Sequence, residues 1–122
     1  CLLSRGLGDV YKRQAYKIGN LIYTAGVTAN DPETQKMVAP GDIIGQTEQI
    51  MKNMQAILEE AGSDLAHIIK TMVFVKDIED FAKFNEAYKK FFPNNPPARS
   101  TMQVGNFLGD MVIEIEAIAT EK

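Results

Sequence analysis

Between Met111 and Ala119 the chain places apolar residues at every second position: Met111, Ile113, Ile115, Ala117 and Ala119. A strict period of two can bury all five together only as a β-strand with one face on a core. Glu114 and Glu116 then share the opposite face. Upstream, Pro97-Ala98-Arg99-Ser100-Thr101 runs into the alternating Met102 and Val104, which reads as a second strand. The six residues from Gly105 to Asp110, with Gly105 and Gly109 near the ends, can close the two runs into a hairpin. That arrangement puts an arginine and a carboxylate on neighbouring strands. Whether both point to the same side depends on register, because a slip of one residue reverses every side chain.

The rest of the chain alternates strands and helices. Ala15 to Ile18 and Leu21 to Thr28 read as strands joined at Gly19-Asn20, and Asp31 to Thr34 as loop. Asp42 can cap a helix whose positions Ile43, Thr47, Ile50, Met51, Met54, Ile57, Leu58 and Ala61 follow helical spacing, with Gly62 as its stop. Ile68 to Lys76 is rich in β-branched residues and reads as a strand. Asp77 or Asp80 then opens a second helix with Phe81, Phe84, Tyr88 and Phe91 on one face, ended by Pro93. That aromatic stripe reads as core packing. Two helices on one face of a mixed sheet give an α+β layered domain.

Arg99 and Glu114 are the residues with chemistry to offer. A guanidinium presents paired N–H donors that match a carboxylate and stays charged at any working pH. A nearby glutamate can orient or activate water. The plainer reading of the same residues is that Glu114 and Glu116 are solvated charges that Arg99 neutralises. His67 is the only histidine, so there is no catalytic set built on histidine with redundancy and no zinc-spaced cluster; it reads as a surface or turn residue. The glycines form neither GxxxxGKS nor GxGxxG.

The chain of 122 residues has room for one domain, and no apolar run approaches the roughly 18 residues that span a membrane. The formal net charge of −3 makes it a poor general binder of phosphate backbones. The one cysteine is Cys1, so no disulfide framework is expected.

From residue 15 to 122 the sequence closely resembles the RidA family, the reactive intermediate deaminases also called YjgF-like proteins. The resemblance is carried, in family order, by Gly19-Asn20-Leu21-Ile22-Tyr23-Thr24-Ala25-Gly26, Gln46-Thr47, Asn53, Leu58, Ala61-Gly62, Ile69-Lys70-Thr71, Phe74-Val75, Asn85, Tyr88, Pro97-Ala98-Arg99-Ser100 and Ile113-Glu114-Ile115-Glu116-Ala117. It implies a fold like that of the bacterial chorismate mutases and a homotrimer with active sites in the clefts between subunits. It further implies hydrolysis of 2-imino or enamine acids, such as 2-iminobutanoate and 2-iminopropanoate, to 2-oxo acids and ammonia. By the same resemblance Arg99 grips the substrate carboxylate, Glu114 positions the attacking water, Thr101, Ala25 and Gly26 contact substrate, and Asn85 lies near the subunit boundary. No metal, cofactor, nucleic-acid or membrane partner is implied, and a cytoplasmic role in metabolite damage control is expected.

The chain also departs from the family pattern. Ala25 stands where many members carry a serine, which removes a hydroxyl, and Thr101 where some carry a cysteine. Residues 1 to 14 do not resemble the family's opening, and Asp9-Val10-Tyr11-Lys12-Arg13-Gln14 looks like a translated transposon-end adapter. We therefore expect residues 1–14 to be a non-native replacement of the true start and 15–122 to be a single RidA-like domain; the codons would decide it. Tyr11 lies one residue too far from Gln14-Ala15 to take the family tyrosine's pocket role. The first segment holds Arg5, Lys12 and Arg13 against Asp9, so the charge of −3 becomes −5 for the remainder.

Other functions stay open at this stage. One is a trimeric module that senses 2-oxo or amino acids without turnover, which Ala25 favours. Another is an endoribonuclease or translation inhibitor, which the acidic charge opposes. Chorismate mutase activity rests on likeness of fold alone.

Overall fold

A computed structural model of the chain describes residues 14–122 and, of what precedes them, the strand Leu2–Leu3 (β1). The expectations for the remaining opening residues, the adapter-like segment and Tyr11 included, lie outside the described residues.

The sheet is built from β1, Ala15–Ile18 (β2), Leu21–Thr24 (β3), Ile68–Val75 (β4), Ala98–Gln103 (β5) and Ile113–Thr120 (β6). Helix Ile43–Glu60 (α1) lies between β3 and β4, and helix Phe81–Lys89 (α2) between β4 and β5. The predicted start of α1 is observed: the Asp42 carboxylate accepts from Ile44 N at 3.1 Å. Its end is observed too. Gly62 takes φ +88°, and the N–H groups of Gly62 and Ser63 return to the carbonyls of Glu59 and Leu58. All eight positions of the helical pattern are buried.

The second strand is shorter than the sequence suggests, ending at Thr24, after which only Val27 rejoins the sheet through a bridge to Ile115. Asp77 caps a short 3-10 turn rather than α2 itself, accepting from Glu79 N at 2.9 Å. The aromatic stripe runs Phe81, Phe84, Tyr88, Phe92, each ring tilted on the next, so Phe92 takes the place expected of Phe91. α2 ends at Lys89, and the turn that follows carries Phe92 inward, where it is buried.

The strand order β1-β2-β3-β6-β4-β5 corrects the expected hairpin. β5 and β6 are not neighbours: β4 lies between them, antiparallel to β6 and parallel to β5. The physical reason lies in the three burial patterns. Every second residue of β6 is buried, and Val73 and Val75 of β4 are fully so, whereas no residue of β5 is. The apolar pair takes the centre, and the more polar β5 takes an edge that the α2 crossover can reach in parallel. Residues 104–112 then pass the end of β4, held by Val104 N to Val75 O at 2.9 Å and Lys76 N to Val112 O at 2.9 Å.

Both helices cover one face. Thr71, Val73 and Val75 of β4, with Ala117, Ile115 and Ile113 opposite, form that floor, and each fully buried Ile or Phe contributes about 1.5–3 kcal/mol. The other face has no helix. It carries Tyr16, Tyr23 and Met102, all exposed, beside Met72, Phe74, Ile118 and the two glutamates.

Candidate functional site

Arg99 stands opposite Thr71 in the β4–β5 register, and Thr71 lies on the helix face. Glu114 stands opposite Phe74, one step out of phase with Thr71, and therefore on the bare face. The two residues expected to cooperate thus lie on opposite sides of one sheet, two strands apart.

On the helix side, Arg99 Nη1 donates to Asn85 Oδ1 at 2.8 Å. Its guanidinium carbon lies 5.3 Å from the ring centroids of Phe81 and Phe84 and 5.0 Å from that of Tyr88. Cation–π contacts of this kind are worth about 0.5–2 kcal/mol each, depending on exposure. The Tyr88 ring is itself fixed, because its hydroxyl shares a 2.8 Å buried hydrogen bond with Thr71 Oγ1. Burial holds the Tyr88 phenol above its ordinary pKa, against the opposing pull of the Thr71 bond and the Arg99 charge. Arg99 therefore stays held without a neutralising carboxylate: no acidic side chain among the described residues pairs with it. Among the described residues, no side-chain hydrogen bond other than that to Asn85 takes its N–H donors, which leaves them to an anion.

Beside it is a cavity of about 340 Å³ lined by Asn85, Tyr88, Lys89, Phe92, Pro96, Pro97 and Arg99. Thr101 lies two residues along β5 on the same face, opposite Val73. Its hydroxyl oxygen is buried without a hydrogen-bond partner. An orphaned buried hydroxyl costs about 1–3 kcal/mol.

On the bare face, Glu114 lies against Gly26, so closely that a β-carbon there would overlap its carboxyl group. The Val27–Ile115 bridge sets this approach, with bonds of 2.7 and 3.1 Å. Burial, and secondarily the Glu116 charge, raise the Glu114 carboxyl above the usual carboxylate range. Ala25 is exposed, and its N–H donates to Gln14 O at 2.9 Å. Gly26→Ala should displace the Glu114 carboxyl while leaving the backbone unstrained, since φ at Gly26 is not positive. We expect the Glu114 carboxyl to leave this contact with little change in affinity for a carboxylate ligand, read by carbon-13 NMR of the side chain alongside ligand titration.

The sequence reading put Arg99 and Glu114 on neighbouring strands and left their sides open; β4 lies between them and they face opposite ways. That reading missed Phe81, Phe84 and Tyr88 as the cradle of Arg99. The available signal was the helical spacing of that stripe with Asn85 inside it, on the helix leading into β5. His67 is a turn residue as expected, its Nδ1 2.6 Å from Asp64 Oδ1, and the bond, chiefly, lowers the Asp64 pKa. No group of three or more potential metal ligands occurs among the described residues. No helix among them is long and apolar enough to cross a membrane.

A family model described as Endoribonuclease L-PSP, the YjgF/RidA family, matches residues 9–121. The chain belongs to the RidA family. Among relatives, it is 47% identical over 106 residues to a RutC family protein of Pyrococcus abyssi, covering 87% of this chain and 83% of the relative. It is 45% identical over 107 residues to Reactive Intermediate Deaminase A, chloroplastic, of Arabidopsis thaliana, covering 88% of this chain and 57% of that protein. The crystal structure of E. coli TdcF with bound serine superposes with a TM-score of 0.83 at 36% identity, covering 91% of this chain and 88% of that one. This RidA-family chain therefore has the family's mixed α+β fold, a sheet with two helices.

Proposed function

We propose that this protein hydrolyses reactive 2-imino acids, 2-iminobutanoate and 2-iminopropanoate among them, to 2-oxo acids and ammonia. The observation that carries the reading is an arginine cradled by three rings with no carboxylate partner among the described residues, together with a glutamate held against Gly26 whose carboxyl is raised above its ordinary pKa by burial. The name of the Arabidopsis relative supports it.

Arg99 binds the substrate carboxylate, and the Thr101 hydroxyl adds a hydrogen bond. Water adds to the protonated imine carbon, giving up a proton to Glu114. The C–O bond forms as the C=N π pair returns to nitrogen. The carbinolamine then collapses: nitrogen takes a proton and leaves as ammonia, and the oxygen gives up its own to become the 2-oxo group. The residues supply position and proton transfer and need no cofactor.

Because Arg99 and Glu114 of one chain face opposite ways, one pocket needs Arg99 from one subunit and Glu114 from another. A homotrimer with active sites between subunits meets that need, and the bare apolar sheet face supplies a surface to bury. The test is complementation. Arg99→Ala and Glu114→Gln, each inactive alone toward 2-iminopropanoate generated in situ, should regain activity when co-assembled, because a mixed oligomer contains an intact pocket. Absence of any regain in verified mixed oligomers means that the two residues serve no common pocket.

A second reading is a sensor that binds amino or 2-oxo acids without turnover. Ala25 favours it by removing a hydroxyl, and the structural relative TdcF holds serine. The endoribonuclease name in the family description finds less support here, since the net charge is −3 and His67 is paired with Asp64 away from Arg99. A cytoplasmic role in limiting metabolite damage goes with the deaminase reading.

A further inference from the structure

Two polar side chains on α1, Gln46 and Asn53, are seven residues apart and so lie on one side of the helix. Gln46 is fully buried, and both its amide ends are used. Nε2 donates to Asp110 O at 2.9 Å and Ala39 O at 3.1 Å, and Oε1 accepts from Val112 N at 2.9 Å. Asn53 Nδ2 donates to Asn30 O at 2.8 Å and Thr28 O at 2.9 Å, while Gln49 Nε2 steadies its Oδ1 at 3.0 Å.

The bonded positions are telling. Val112 is two residues before Glu114, and Thr28 is two residues after Gly26. Val27, between Gly26 and Thr28, bridges to Ile115, the residue after Glu114. We propose that Gln46 and Asn53 are positioning residues that, from the opposite side of the sheet, jointly set the contact between Glu114 and Gly26. Each holds one of two chain segments that have left regular strand pairing, Thr28 to Asn30 and Asp110 to Val112. Without these bonds the segments would keep only their backbone ties, Lys76 N to Val112 O and Gly41 N to Asp110 O on one and Val38 N to Ala29 O on the other, and the Glu114 carboxyl would move off Gly26 into water.

The effect on catalysis rests on the deaminase reading; the effect on Glu114 does not. Two measurements keep them apart: titration of the Glu114 side-chain carboxyl by carbon-13 NMR on the whole assembled protein, and steady-state kinetics with 2-iminopropanoate. The charged groups sharing the face of Glu114 are Glu116 on its own strand and Lys70 on β4, whose ammonium group donates to Ser100 Oγ at 3.0 Å. β5 contributes the neutral Ser100 and Met102, and β3 contributes Tyr23. None of these groups touches Gln46 or Asn53, so the variants leave them in place.

In Gln46→Met, which keeps the volume and loses the bonds, and in Asn53→Ala, the Glu114 titration should move down toward the usual carboxylate range. kcat should fall about tenfold with KM within twofold, since the Arg99 half-site is untouched. The double variant should lose less than the product of the singles, because both act on one contact. If Gln46→Met fails to fold, the half-buried Asn53 carries the test. An unchanged Glu114 titration in the folded variants overturns the inference. A shifted titration in a protein whose wild type shows no turnover upholds the positioning and removes the deaminase reading.

Discussion

Arg99→Ala should lower kcat/KM for 2-iminopropanoate by a hundredfold or more. Loss of a charge-assisted, two-pronged carboxylate anchor costs on the order of 3 kcal/mol, and most of the loss should fall on KM because the anchor acts on bound substrate and transition state alike. Arg99→Lys should not restore it. A lysine ammonium is a point charge without the planar fork, and it cannot reach Asn85 Oδ1, stack on Phe84 and Tyr88, and still present paired donors. Folding should survive, since Asn85 is half-buried and water can replace the lost donor. Initial rates in a coupled amino acid oxidase assay decide the matter: a kcat/KM within threefold of wild type would place the carboxylate anchor elsewhere.

Glu114→Gln should reduce kcat by about 10²–10⁴, the usual contribution of a positioned general base, with KM little changed. In the wild type, activity should rise with pH through the elevated Glu114 pKa, because the ionised form accepts the proton; in the variant that acid limb should disappear. Stability should respond in the opposite sense. A carboxyl whose folded pKa is raised binds more protons folded than unfolded, so its contribution to stability declines as pH rises from the usual carboxylate range through the elevated value. The glutamine variant should therefore melt at or above the wild-type temperature at neutral pH, with the advantage vanishing in acid. A Glu114→Gln variant of wild-type kcat would remove Glu114 from the reaction.

Local patterns carried much of this architecture. The period of two became β6 from Ile113 onward, with Ile113, Ile115, Ala117 and Ala119 buried as read and Met111 half-buried before the strand, and the α1 pattern became a helix with Asp42 and Gly62 at its ends. Both are short-range signals, since alternation, capping and a left-handed glycine act within a few residues. The aromatic stripe was read as core, and Phe84 and Tyr88 are buried as expected; that its rings also carry the Arg99 guanidinium depends on β5 lying beside β4. Gln46 and Asn53 gave no local sign of their role, because their partners are backbone groups brought near only by the completed fold.

Local sequence signals settled the two-faced strand, the capped helix and the identities of the arginine and glutamate. Which strands meet was settled by long-range pairing. Gly105 to Asp110 could have closed a hairpin, but β4 has two buried edges to satisfy and took the place between β5 and β6. Strand pairing is a competition among all strands for the centre of the sheet, and no local window holds its outcome. That competition put Arg99 over the helices and Glu114 on the bare face, because side chains alternate by one residue and the register of β4 with each neighbour sets the phase.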